Sequence, residues 1–420
     1  MPLKPQKPNL PEGVYWLTVL AFVLRVIARI HSGVVGFWVN GYTFFFAMAQ
    51  NIAHGKGIGI DGSPTAFRVP LYPLFLAVLT FGHKVFWPIV IAQSAIGAGT
   101  AFCAALLARQ TFRGPRAAHA ATWAAAAAAV YPYYVIHDTA LEETSLFTLL
   151  SLVAVMLLLR ASENFSPALG ACAGLLLGLD VLTRATIAPF ALVGPLWLFW
   201  QKRTRAGLAC ALLLLLTVAP WLWRNYLLTG VPTLSTETGM ELWNGNNGFL
   251  FRHYPEESSD LSKADALNAL SVQDQLELDR IENNEELTNR WFMQKAFASM
   301  RAHPTQTTIE DLRKVEAAFS WLPSPRRGRI ADLAYALSYG PVMSLGLWGM
   351  WRRRKCWRGD SLIYLLFASF IAVTAVFWAH TSHRAYLDVY WIVFAAGVLA
   401  EIGAGIARRR ESKQSTYLSS

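Results

Sequence analysis

About ten stretches of this chain are long and apolar enough to demand lipid rather than water, since a helix needs roughly 20 mostly apolar residues to span a bilayer. In hydrocarbon every backbone N–H and C=O must be bonded within the protein, so such a chain folds as a bundle of helices. The stretches run 14–36, 87–108, 117–136, 143–160, 166–182, 184–200, 206–226, 333–351, 361–379 and 386–407. With 54% apolar and 15% charged residues, a soluble globular domain is excluded. The expected fold class is an all-α polytopic membrane protein.

The charges orient the bundle. With a cytoplasmic amino terminus, Lys4 and Lys7 precede the first span, and every even-numbered span ends in basic residues. These are Arg109, Arg113 and Arg116; Arg160; Lys202, Arg203 and Arg205; Arg352 to Lys355; and Arg408 to Arg410. Positive charge collects on the cytoplasmic side of membrane proteins, which accounts for most of the net charge of +10 without nucleic acid. The expected localisation is the cytoplasmic (inner) membrane, with both termini cytoplasmic and the working face periplasmic. No cleavable signal peptide is evident, because the first apolar run is long and lacks a small-residue cleavage site. Cys103, Cys172, Cys210 and Cys356 give no disulfide framework for the outer loops.

This division gives an N-terminal transmembrane module over 14–226, including a first outer loop at 37–86, and an outer soluble segment at 227–332. A C-terminal module covers 333–407, and a basic cytoplasmic tail covers 408–420. In the first loop, helix-permissive residues run to His54 and stop at Gly55-Lys56-Gly57, and the short apolar run 70–82 reads as an interfacial helix. That helix either lines a lateral opening for a lipid tail or caps the bundle. In the second long segment, Thr236–Gly248 is rich in turn formers. An acidic stretch from Glu256 to Glu286 has helical apolar spacing, and two further short helices flank His303-Pro304. The Ala run 124–129 points to close helix packing.

Several of these stretches carry a family resemblance. They include Ala49-Gln50-Asn51-Ile52-Ala53-His54-Gly55, Arg68-Val69-Pro70-Leu71-Tyr72-Pro73, Glu143-Thr144-Ser145-Leu146-Phe147 and Leu182-Thr183-Arg184. Pro220-Trp221-Leu222-Trp223-Arg224-Asn225 and Leu242-Trp243-Asn244-Gly245-Asn246-Asn247 follow, and then His303-Pro304 and Lys314. In this order they resemble the membrane-embedded GT-C glycosyltransferases. The group concerned is the protein-mannosyltransferase-like one that includes bacterial lipid A aminoarabinose and galacturonic acid transferases. The resemblance implies a GT-C-like bundle, a polyprenyl-phosphate-linked sugar donor, and a glycolipid, polysaccharide or protein acceptor. Tyr72, Trp243, Asn246 and His383 are its expected substrate contacts.

The residue chemistry agrees. Displacing a sugar from polyprenyl phosphate leaves extra negative charge on the phosphate, and fixed cations stabilise that charge more in the transition state than in the ground state. Arg68, Arg184, Arg224 and Arg384 all fall at outer helix ends or turns, where they are expected to converge on the headgroup. Arginine suits phosphate because its planar fork binds two oxygens. The competing reading is that each arginine reaches interfacial lipid.

A carboxylate should take the acceptor proton, and here the sequence departs from the family pattern. The family's first-loop Asp aligns with Gly41, beside Asn40, and neither residue is a base. Glu143 is the first alternative, followed by Asp138 and Asp61. Glu142, Asp180 and Asp388 also lie on the outer side, Asp180 one turn from Arg184 as either a functional or a structural partner. His137, His380 and His383 show no ligand spacing, so no metal site is assigned, although a divalent ion stays open through the resemblance. Two functions follow. One is an inverting glycosyltransferase. The other is a catalytically degenerate relative that binds polyprenyl-linked sugar or assists a partner enzyme. A transporter is disfavoured by the absence of an inverted repeat.

Overall fold

The computed structural model describes residues 10–39, 42–112, 114, 116–378 and 380–418. The first helix, α1 (Glu12–Val39), is followed by α2 (Thr43–Ala53) and a small hairpin, β1 (Gly59–Ile60) and β2 (Ser63–Pro64). Next come α3 (Leu71–Thr80), α4 (Trp87–Thr111), α5 (Arg116–Val130), α6 (Pro132–His137), α7 (Thr144–Asn164) and α8 (Pro167–Thr183). A single 3-10 turn leads into α9 (Ala188–Trp200), and α10 (Thr204–Thr229) ends the first group. The long polar segment holds α11 (Thr238–Asn244), α12 (Ser259–Asn268), α13 (Val272–Ile281), α14 (Glu285–Ala302) and α15 (Pro304–Ala318). Three long helices close the chain: α16 (Arg329–Arg352), α17 (Trp357–Val376) and α18 (Ala385–Leu418). The protein is an all-α membrane protein.

Six segments among the described residues are long and apolar enough to cross a bilayer: Glu12–Trp38, Trp87–Thr111, Thr144–Asn164, Thr204–Thr229, Arg354–Val376 and Ala385–Gly405. The other four expected spans coincide with α5, α8, α9 and α16, which are shorter or more polar. The span expected at 117–136 is two helices. Pro132 has no N–H to continue α5, and Tyr131 before it is extended, at φ −60° and ψ 112°. Rows of exposed apolar side chains, such as Leu208, Leu212, Leu215 and Leu216 on α10, give the bundle the surface that lipid requires.

Small residues set the closest helix contacts. Gly170, Gly174 and Gly178 form one stripe of α8, and a Cβ at any of them would collide with Ala206, Cys210 or Thr217 of α10. Ala121, Ala124, Ala125, Ala128 and Ala129 of α5 are fully buried, as the Ala run led one to expect. In the polar segment Ser258, Ser271 and Asn284 accept backbone N–H bonds at the starts of α12, α13 and α14. Those caps divide the acidic stretch into two helices. The segment read as turns, Thr236–Gly248, instead contains α11, whose Leu242 and Trp243 pack against Trp291, Phe292 and Ala296.

Buried ion pairs lie inside the bundle, among them one between α1 and the turn after α6. Arg25 of α1 donates from Nε to Asp138 Oδ2 at 2.7 Å and from Nη1 to the carbonyls of Ala21 (2.9 Å) and Ala129 (3.3 Å). Gly97 of α4 faces this pair, and a Cβ there would overlap both Asp138 Oδ2 and Arg25 Nε. Gly97→Ala is therefore expected to destabilise the protein by about 1–3 kcal/mol, the usual cost of overpacking. Thermal unfolding in detergent, followed by tryptophan fluorescence, checks this.

Candidate active site

The turn after α6 and the start of α7 bring the first functional groups together. Glu143 precedes α7, and Arg184 follows α8 in an extended conformation, at φ −150° and ψ 112°. Arg184 donates from Nε (3.0 Å) and Nη2 (2.8 Å) to the same oxygen, Glu143 Oε1, and from Nη2 to Thr144 Oγ1 at 3.3 Å. Its guanidinium lies 4.7 Å from the Phe147 ring centre. The second carboxylate oxygen, Glu143 Oε2, is buried and has no hydrogen-bond partner. Glu142 beside it pairs with His137 Nδ1 at 2.7 Å. Burial pushes the Glu142 carboxyl up, but His137 and Arg184 outweigh it and hold the group below its ordinary value.

A second cation comes from the first loop. Arg68 Nη2 lies 2.6 Å from Glu237 Oε1, and Arg68 Nε is buried without a partner. Aromatic rings flank its guanidinium, Phe44 at 5.2 Å and Phe67 at 5.6 Å. The loop is fixed from outside. Glu285, at the start of α14, accepts from Thr65 Oγ1, from Ala66 N–H (2.9 Å) and from Thr236 Oγ1 (2.9 Å). Thr236 N–H donates to Ala66 O at 3.0 Å. These bonds join the first loop to the polar segment next to Arg68.

The two halves face one another. Tyr42 lies within electrostatic reach of Glu142, Glu143, Arg184 and Arg68. Its backbone N–H donates to Leu141 O at 3.0 Å. His383, in the turn before α18, feels both Arg184 and Arg68. Burial first, and then Arg184, His380 and Arg68, hold its imidazole well below the ordinary value, so it is neutral at physiological pH.

Most of the other expected site residues are committed to partners within the protein. Arg224 donates to the carbonyls of Ile58 and Thr65, both at 2.7 Å, and so clamps the β1–β2 hairpin. Arg384 has no exposure and bonds Asp388 (3.0 Å), Ala318 O (2.6 Å) and the Tyr335 hydroxyl (2.7 Å). Arg224 and Arg384 thus spend their donors within the protein, and of the four expected arginines Arg68 and Arg184 are the two that have Tyr42 and His383 as common neighbours. Asp138 is committed to Arg25, and Asp61 is an exposed residue of the hairpin turn at φ +51°. Tyr72 is buried and donates to Gln93, whose amide holds the carbonyls of Asp138 (3.1 Å) and Ala140 (2.8 Å). Trp243 is core, and Asn246 donates to Leu242 O and Val376 O while accepting from the buried Lys314. Asn40 and Gly41 lie outside the described residues. Asp180 is fully buried, and neither of its carboxylate oxygens has a hydrogen-bond partner.

Sequence reasoning missed Glu237 as a site residue. Its one local signal is its place just ahead of the Leu242-Trp243-Asn244 stretch that carried the resemblance. Among the described residues no group of three or more His, Cys, Asp or Glu side chains is placed to hold a metal ion.

Comparison with known proteins agrees with the resemblance. Residues 68–223 match the family model described as dolichyl-phosphate-mannose-protein mannosyltransferase. The match begins at Arg68 and encloses Glu143 and Arg184, while Glu237 lies beyond it. The chain is similar to GT-C glycosyltransferases, as the motifs indicated. Two solved structures of ArnT from Cupriavidus metallidurans are also similar. The one bound to undecaprenyl phosphate is 12% identical, with a TM-score of 0.40 over 93% of this chain and 78% of that chain. The apo form is 12% identical, with a TM-score of 0.38 over 92% and 77%. No curated protein matches the chain by sequence.

Proposed function

We propose that this protein transfers one sugar from a polyprenyl phosphate to an acceptor hydroxyl on the non-cytoplasmic face of the cytoplasmic membrane. The observation that carries this reading is the pair of arginines, Arg68 and Arg184, sharing Tyr42 and His383 as neighbours, with Glu143 bound to one of them. The match to a family described by a dolichyl-phosphate-linked sugar supports a donor of the same chemical class.

In this reading the donor phosphate lies between Arg68 and Arg184, with its lipid tail in the bilayer. Arg184 is held in place by Glu143 and Thr144, and its Nη1 has no partner among the described residues. As the bond from the anomeric carbon to the phosphate oxygen breaks, its electron pair goes to the phosphate, where both cations receive the growing charge. The acceptor oxygen attacks the opposite face of that carbon, which inverts the configuration. Its proton passes to Glu143 Oε2, the oxygen that Arg184 leaves free. The acceptor is a lipid A-type glycolipid, a polysaccharide or a protein.

Glycolipid mass spectrometry on a deletion strain tests the reading, with loss of one sugar as the expected result and an unchanged profile against it. In a purified assay Arg68→Ala should lower turnover by about 10²–10³-fold, the usual cost of losing one fixed transition-state donor. Full activity of that variant would remove Arg68 from the site. The second reading, a degenerate relative that binds the lipid-linked sugar or assists a partner, is favoured by Asn40 and Gly41 standing where the family carries Asp. Gly41→Asp discriminates the two: activity that appears only in the variant identifies a silent scaffold.

A further inference from the structure

We propose that Glu237 occupies the place of the donor phosphate on Arg68, so that the lipid phosphate must displace it to bind and its return promotes release of the product. This rests on the sugar-transfer reading and adds the residue that sets affinity for the phosphate.

The geometry favours exchange over a fixed structural pair. Glu237 contacts one cation, through Oε1 at 2.6 Å, and its side chain is 11% exposed while that of Arg68 is 35% exposed. Arg68 is thus the more accessible member of the pair, and its carboxylate partner is the more buried. The backbone on both sides is stitched down: Thr236 N–H to Ala66 O, Ser235 Oγ to Phe67 O, and Glu237 N–H to Ser235 Oγ at 3.1 Å. A change of side-chain rotamer therefore breaks the ion pair without moving either loop.

The charges around Glu237 leave it a second position. Besides Arg68 it faces Glu241 of α11, Lys263 of α12 and Glu143 at the start of α7. Lys263 already lies 3.7 Å from Glu241 and 3.5 Å from Asp260. It attracts a displaced Glu237 carboxylate, whereas Glu143 and Glu241 repel it. Burial pushes the Glu237 carboxyl up to about 7, against the pull of Arg68. The sign follows. Below about pH 7 the group is protonated and gives up Arg68 readily. Above it the carboxylate is charged and competes, so phosphate affinity falls as pH rises through that value.

After transfer the leaving lipid is a phosphate monoester, which carries up to two negative charges and grips arginine more firmly than the donor diester does. A carboxylate competing for the same guanidinium shortens that product's stay.

The test uses the full-length protein in detergent and farnesyl methyl phosphate diester, a monoanion at every pH used, with binding read by calorimetry at pH 6 and pH 8. Glu237→Gln should tighten binding about threefold to tenfold at pH 8, the effect of removing a competitor worth up to about one decade of affinity. It should change binding little at pH 6, so the pH dependence of the wild type disappears. Glu237→Asp, whose shorter side chain falls short of Arg68, should tighten binding in the same direction and serves if the Gln variant does not accumulate. Weaker or unchanged binding at pH 8 in these variants overturns the proposal, because a merely structural pair would lose affinity on substitution. Arg68→Ala should abolish binding. If it does not, the donor-site reading fails, an outcome distinct from failure of Glu237 alone.

Discussion

Glu143→Gln is expected to lower turnover by about 10²–10⁴-fold, the range spanned by a positioned proton acceptor, while KM for the donor changes little. Glutamine has the same shape, and its carbonyl oxygen still accepts the two Arg184 hydrogen bonds that Glu143 Oε1 receives at 2.8 and 3.0 Å. Arg184 therefore stays in place, and its stacking over Phe147 persists. What disappears is the basicity of Oε2, the buried oxygen without a partner. The measurement is steady-state transfer in detergent with defined donor and acceptor, resolved into kcat and KM. A loss confined to kcat assigns the proton to Glu143. An unchanged kcat moves the base to Glu142 or Glu237, the other carboxylates facing the same arginines.

Arg384→Met should cost about 3–5 kcal/mol, the penalty for leaving one charge of a buried pair uncompensated. The arginine and Asp388 have no solvent exposure, and the guanidinium also sits 3.6 Å from the Tyr339 ring centre. Its removal orphans Asp388, whose other oxygen accepts from Tyr131 at 2.9 Å, leaves the Ala318 carbonyl without a donor and takes the guanidinium from the Tyr335 hydroxyl. These contacts tie α15 and α16 to α18, so the variant should fail to accumulate in the membrane or unfold at much lower temperature in detergent. A double substitution, Arg384→Met with Asp388→Leu, should recover a large part of the loss, since two apolar groups need no partner. Retained stability in the single variant would show that Asp388 is neutralised by another route.

The contrast between Arg384 and Arg184 marks how far the sequence could be read. Both arginines end an apolar helix or precede one, and nothing local distinguishes them. Arg184 meets a carboxylate 41 residues away and keeps donors for a ligand, whereas Arg384 bonds the carbonyl of Ala318, 66 residues away, and the Tyr335 hydroxyl. Arg224 likewise spends its fork on carbonyls 159 and 166 residues earlier. Backbone carbonyls exist at every position, so no pattern of residue types predicts which of them will capture an arginine.

Hydropathy, Lys and Arg placement, the helix-stopping Gly55 and Gly57 at φ +72° and +81°, and the serine caps of the polar segment are local properties. They follow from transfer energies, backbone sterics and short-range hydrogen bonds, and the sequence by itself determined them. The motif residues Arg68, Glu143 and Arg184 were legible in the sequence as candidates, through their resemblance to a family. The tertiary structure alone decided that Asp138 serves Arg25, that Asn246 braces the polar segment, and that Glu237, far along the chain, stands against Arg68. A buried charge takes its partner from whatever neighbour the packed helices bring within about 3 Å, and that distance exists only after the chain has closed on itself.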